Sequence, residues 1–245
     1  MSSTHLLTYL FDGQPHPLTD TFTLWLASKR FRAFADSYKD KIRKKIRGTR
    51  DADTIRDLYF ELETAYRLAQ EKRFSVVYEH YGADKSRGPD FTVTFGSLTF
   101  NVEVTRLRPS DRDDPSPDHE TARLLDTVAF KLRQLPPGTA NLLVIFADNT
   151  LLRTIDLPQA IHHFKILLEQ RDPAILARHR FLDPSDFFKY YLRLSAILLR
   201  GSCETDETHP FTYWPNPQAK HLLPSNVRTI LSNWNLQPYR SQNAD

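Results

Sequence analysis

The clearest pattern in the chain lies in residues 88–108, where two stretches alternate apolar and polar side chains on either side of Gly96-Ser97. Strict alternation is the period of a half-buried strand. A glycine-serine pair between two such runs predicts a two-residue hairpin loop. That loop sets the register. Phe95 faces Leu98, Val93 faces Phe100 and Phe91 faces Val102 on one apolar face. On the other face Thr94 meets Thr99, Thr92 meets Asn101 and Asp90 meets Glu103.

Helical patterns surround the hairpin. Residues 1–20, with Asp12-Gly13 and two prolines, read as a loosely structured lead-in. Thr19 or Asp20 caps a helix to about Arg47 that carries Phe22, Trp25, Leu26, Phe31 and Phe34, with a break near Lys29 and a narrow Ile42/Ile46 stripe. Asp53 caps a second helix over about residues 54–72, whose buried face holds Leu58, Leu62, Ala65, Leu68 and Ala69. Residues 75–81 predict a strand, and residues 109–118 a proline- and aspartate-rich mobile rim. His119 or Glu120 starts a helix to about Leu135, with Leu124, Leu125, Val128, Leu132 and Leu135 inward. The apolar run 141–147 predicts a central buried strand. Helices follow at 157–169, 173–179 and 185–192, then a strand at 195–199, a turn at 214–217 and a last helix at 225–234. The expectation is an α/β fold whose core runs helix, three-strand meander, helix, strand, with extra helices at both ends. No linker divides the chain, so a single domain over 1–245 is expected. It comprises an N-terminal extension to about residue 53, a core over about 54–149 and C-terminal additions over about 150–245.

Composition narrows the setting. An apolar content of 40% is enough for a core, and the lone Cys203 excludes an intramolecular disulfide and points to a reducing compartment. No run approaches the ~20 apolar residues of a membrane span, and the N-terminus lacks a signal-peptide layout. A cytoplasmic protein with no membrane partner is expected. The net charge is only +3, but residues 29–50 hold ten basic residues against two acidic ones. Lys41, Arg43, Lys44, Lys45 and Arg47 are therefore candidate nucleic-acid contacts, with a solvated helix face as the alternative. His162-His163 lack the spacing of a helical metal pair and read as surface.

Two acids carry the chemistry. Asp90 and Glu103, opposite one another across the ladder, repel by ~0.2–1 kcal/mol unless a proton or cation is shared. Oxygen ligands so placed suit a hard divalent ion; two solvated groups at a strand end are the alternative. Glu61 falls on the apolar face of its helix beside Leu58, Leu62 and Ala65, whereas Glu63 is expected to point elsewhere. A carboxylate there needs a cation, a donor or an aqueous cleft. It serves either a site or an edge pair with Arg56 or Arg67.

Pro89-Asp90, a spacer, then Glu103-Val104-Thr105 resembles the PD-(D/E)XK nuclease superfamily, in which an acid opens one strand and an acid-x-Lys triplet lies on the next. The resemblance covers about residues 54–149. It implies a restriction-endonuclease-like core and a phosphodiesterase dependent on Mg2+ or Mn2+ that acts on DNA, with RNA as the alternative. It also implies Asp90 and Glu103 as metal ligands, the carbonyl of Val104 completing the shell, and Glu61 as the helix acid. The family lysine is replaced by Thr105, which can hold a water but brings no positive charge. Arg106 alternates to the opposite face. Lys72 lies eleven residues beyond Glu61, about 16 Å along the helix. Lys131 remains the candidate cation. The resemblance thus leaves two functions, a nuclease or an inactive member of the same fold that binds nucleic acid or protein.

Overall fold

The hairpin forms in the predicted register, with Phe95 paired to Leu98, Thr94 to Thr99, Val93 to Phe100, Thr92 to Asn101 and Phe91 to Val102. Gly96 takes φ +61° at the turn, where a glycine has no Cβ to strain. The computed structural model describes residues 1–80, 88–108, 116–201 and 211–235. Residues 81–87, most of the predicted 109–118 rim and Cys203 lie outside the described residues.

The fold is α/β, built on a six-stranded mixed sheet whose strands lie in chain order. They are β1 (Phe74–Tyr78), β2 (Phe91–Phe95), β3 (Leu98–Arg106), β4 (Ala140–Ala147), β5 (Leu194–Gly201) and β6 (Phe211–Pro215). β1, β2 and β3 form an antiparallel meander, β3, β4 and β5 run parallel, and β6 returns antiparallel at the edge. Parallel strands need a crossover, and helices supply each one. β4 is buried along its whole length, as a continuous apolar run between two parallel neighbours requires.

Eleven α-helices lie among the described residues. One face of the sheet carries α1 (Ser3–Phe11), α2 (Thr19–Leu26), α3 (Lys29–Ser37), α4 (Lys39–Gly48), α5 (Ala52–Gln70) and, from the far end of the chain, α11 (Ser225–Ser232). The other carries α6 (Pro117–Leu132), α7 (Asn149–Thr154), α8 (Leu157–Glu169), α9 (Pro173–His179) and α10 (Pro184–Tyr191). Phe60 of α5 stacks on Phe146 of β4 at 4.3 Å between ring centres, pinning the long helix across the sheet.

Four local readings are corrected. The supposed lead-in contains α1, because Ser2 accepts the His5 N–H as a cap and Leu6, Leu10 and Phe11 bury one helical face. Asp51, not Asp53, caps α5 in a reciprocal box with Thr54. The turn expected at 214–217 begins only after Pro215, because Trp214 and Pro215 end edge strand β6, where a proline leaves no ladder partner unmet. Glu63 points inward rather than away: it is 5% exposed and its Oε1 meets Arg67 at 2.8 Å and Arg200 at 3.5 Å.

A polar chain crosses the sheet beneath the site. Thr92 Oγ1 donates to Asn101 Oδ1 and Asn101 Nδ2 donates to Asn141 Oδ1, both at 3.0 Å. Asn141 Nδ2 reaches the carbonyls of Pro136 and Arg193, and its backbone N–H donates to Ser195 Oγ at 2.8 Å. Asn141 is fully buried, so a leucine there would leave several buried polar groups unmet. Asn141→Leu is expected to cost about 2–4 kcal/mol in urea unfolding. A loss below about 0.5 kcal/mol would mean the chain of bonds does not hold the strands.

Candidate active site

The two hairpin acids end up at one place. Asp90 stands just before β2, held by its carbonyl, which accepts the Glu79 N–H at 2.7 Å. Its Oδ2 accepts the backbone N–H of Val104 at 2.8 Å, so the carboxylate lies against the peptide that joins Glu103 to Val104. Glu103 is 2% exposed, and its Oε1 receives the Lys131 ammonium at 2.5 Å. Its Oε2 is buried with no hydrogen-bond partner. A buried carboxylate oxygen left bare costs free energy, which an added cation would recover.

Each neighbour reaches the site from a separate element. α6 begins at the Ser116 cap and turns Lys131, in its last turn, toward β3. Lys131 lies seven residues after Leu124 and three after Val128, so the helical period puts it on the inward side. Glu61 of α5 is half-buried rather than fully enclosed. It accepts from the Tyr78 hydroxyl and from Lys45 at 2.5 Å, not from Arg56 or Arg67. Thr105 faces a cleft of about 540 Å³ that is also lined by Asp57, Glu61, Asp90, Arg108 and Lys131. Arg106 turns to α5, meeting Asp53 at 2.5 Å and Asp57 at 2.9 Å, and it lines the same cleft, although alternation was expected to take it to the opposite face. Lys72 is exposed and takes no part.

Burial and charge act together on the acids. Burial pushes the Asp90 carboxyl well above the ordinary range, Glu61 and Glu103 push it further, and Lys45 only partly offsets them. Burial also raises Glu103, while Lys131 pulls it back. Burial would lower the Lys45 ammonium, but Glu61 and Asp90 outweigh it and hold the group above the usual lysine value.

A carboxyl raised in the folded chain binds its proton more tightly there than in the unfolded chain. The stability it contributes is present below about pH 4 and is lost as pH rises through the raised value. Asp90→Asn removes that charge and keeps an acceptor for Val104. At pH 8 it is expected to melt about 2–6 °C higher than wild type in metal-free buffer, with the gap closing toward pH 4. A lower melting temperature at pH 8 would contradict the electrostatic account.

The basic segment is largely committed to the fold. Lys41 donates to the carbonyls of Tyr78 at 2.9 Å and Glu79 at 3.3 Å. Arg43 and Arg47 both bind Asp12, and their hydrogen bonds hold its carboxyl down at about 2. Lys45 turns into the site, and Lys44 is exposed. Sequence reasoning passed over Tyr78 and Glu79 as site residues and gave Lys45 only as a candidate nucleic-acid contact. Only the position of Lys45 next to the Ile42/Ile46 stripe hinted at an inward role.

Among the described residues, no group of three or more His, Cys, Asp or Glu side chains is gathered as a ready-made metal cage. No helix among them is long and apolar enough to cross a membrane. No family model, curated protein or solved structure matches the chain, so its function is argued from the site's own geometry.

Proposed function

We propose that the chain is a Mg2+- or Mn2+-dependent phosphodiesterase acting on DNA, built on a restriction-endonuclease-like core of the PD-(D/E)XK type. The observation that carries this reading is the Glu103 carboxylate: one oxygen sits on Lys131, the other is buried with no hydrogen-bond partner, and its charge bears on Asp90. Two carboxylates and a backbone carbonyl, with water filling the rest of the shell, are the donors a hard divalent ion takes. Asp90, Glu103 and the Val104 carbonyl would hold it. Such an ion would supply the charge that neutralises a phosphate and would acidify a water.

The chain's own groups divide the remaining work. Lys131 brings positive charge beside Glu103, supporting a role for it where the motif lysine is missing. Thr105, on the cleft wall, is the hydroxyl that would orient a water. Glu61 borders the same cleft. Lys44 and Arg47, exposed on α4, are the proposed backbone-phosphate contacts of the basic segment. Thr105 in place of lysine favours the second reading, a binding module without catalysis, and Lys131 on Glu103 is the observation against it.

A screen with the purified full chain over single- and double-stranded DNA and RNA tests the proposal. Cleavage of DNA is expected with Mg2+ or Mn2+, none with EDTA, and at least a hundredfold loss in Asp90→Asn. Cleavage that ignores EDTA, or no cleavage of any substrate, would overturn the catalytic reading. Salt-sensitive binding without cleavage would move the assignment to the binding module.

A further inference from the structure

At one end of the site the positive charge comes from outside the hairpin and its flanking helices. Lys45 of α4 extends its ammonium to 2.5 Å from Glu61 Oε1 and 2.8 Å from Glu79 Oε1. It also packs at 4.9 Å from the centre of the Tyr78 ring, whose hydroxyl donates to Glu61. The pair is not a loose surface contact, since the side chains of Lys45 and Glu61 are 28% and 15% exposed. Glu79 takes φ 49°, an uncommon conformation for a residue with a Cβ, and in it its carboxylate meets Lys45. At the other end Lys131 holds Glu103. Glu61, which Lys45 holds, lines one cleft with Asp90 and Lys131.

From this arrangement we infer that the Lys45 ammonium stands where a second divalent ion would bind, so that the site takes one ion and not two. The inference rests on the proposed metal-dependent reading and sets the number of ions within it. Geometry supports it. Paired catalytic ions typically sit about 3.5–4 Å apart and share carboxylates, and here Oε1 of Glu61, a residue on the cleft wall, is already taken by a cation and a hydroxyl. Glu61 is accordingly a positioning residue: it holds Lys45 in place, and the basic α4 helix becomes part of the site.

Calorimetric titration of the metal-free full chain with Mn2+ tests the inference. Wild type is expected to bind one ion, Lys45→Met two, and Lys45→Arg, which keeps the charge, one. Circular dichroism confirms that each variant is folded. If Lys45→Met does not fold, Lys45→Gln, which keeps a donor for Glu61, replaces it with the same expected second ion. Two ions in wild type, or one in the folded uncharged variant, would overturn the inference and leave the metal-dependent reading standing. No uptake by wild type or variant would overturn that reading, and the inference with it.

Discussion

Lys131→Met is expected to slow cleavage severely while leaving Mn2+ uptake at least as tight as in wild type. Lys131 touches Glu103 Oε1, and the oxygen that would meet an ion is the other one, Oε2. Losing the ammonium therefore removes positive charge near the reacting phosphate without removing a ligand. A loss of about a hundredfold or more in rate follows from the usual worth of one preorganised charge at a phosphate. Removing a nearby cation also favours binding of another cation. Stability has its own signature. The Glu103 side chain is 3% exposed, and taking away the partner of a buried charge typically costs about 3 kcal/mol. Lys131 is the group that pulls the Glu103 carboxyl down against burial, so without it Glu103 titrates higher still. The penalty is then largest at pH 8 in metal-free buffer and shrinks toward pH 5, where a proton takes the place of the lost ammonium. A variant that cleaves at the wild-type rate would remove Lys131 from the mechanism. Pulse-quenched cleavage assays, with unfolding curves at both pH values, read the two effects separately.

Glu103→Gln is expected to lose both ion uptake and cleavage. Glutamine keeps the shape and an acceptor for Lys131, but it loses the charge that a divalent ion needs. Mn2+ affinity should fall by more than about a hundredfold and the rate by about a thousandfold. The pair of variants separates two roles at one carboxylate: Lys131→Met loses rate alone, whereas Glu103→Gln loses rate and ion together. Wild-type Mn2+ uptake in Glu103→Gln would place the ion elsewhere.

What could be read from the chain beforehand depended on whether the cause was local. The hairpin was legible to the residue, because two alternating runs and one glycine admit a single register and every partner lies within fourteen residues. The run of β4 was legible because nothing but complete burial suits it. Lys131 could be placed by helical period alone, though its partner could not. Glu61 and Glu63 were harder. α5 packs against the sheet on one side, and on another Tyr59 and Tyr66 meet Trp25 of α2, so its buried sector is wider than one stripe. Glu63 is buried beside an arginine from β5, at the far end of the sequence. Its neighbour Arg67, four residues along the helix, was the one local clue. Lys45 was read as a candidate nucleic-acid contact, or part of a solvated helix face, because its carboxylate partners, Glu61 and Glu79, come from elements that no local pattern connects to α4. Edge strand β6 was missed because Pro215 and the Asn216-Pro217 that follow look like a turn until β5 stands beside it.

The claim at the centre of the account is that one divalent ion sits between the carboxylates of Asp90 and Glu103. Crystals of the full chain soaked in Mn2+ and measured at the manganese absorption edge test it most directly. The account predicts an anomalous peak about 2 Å from Asp90 and from Glu103 Oε2. An anomalous map of well-ordered, soaked crystals with no peak at those two side chains would contradict it.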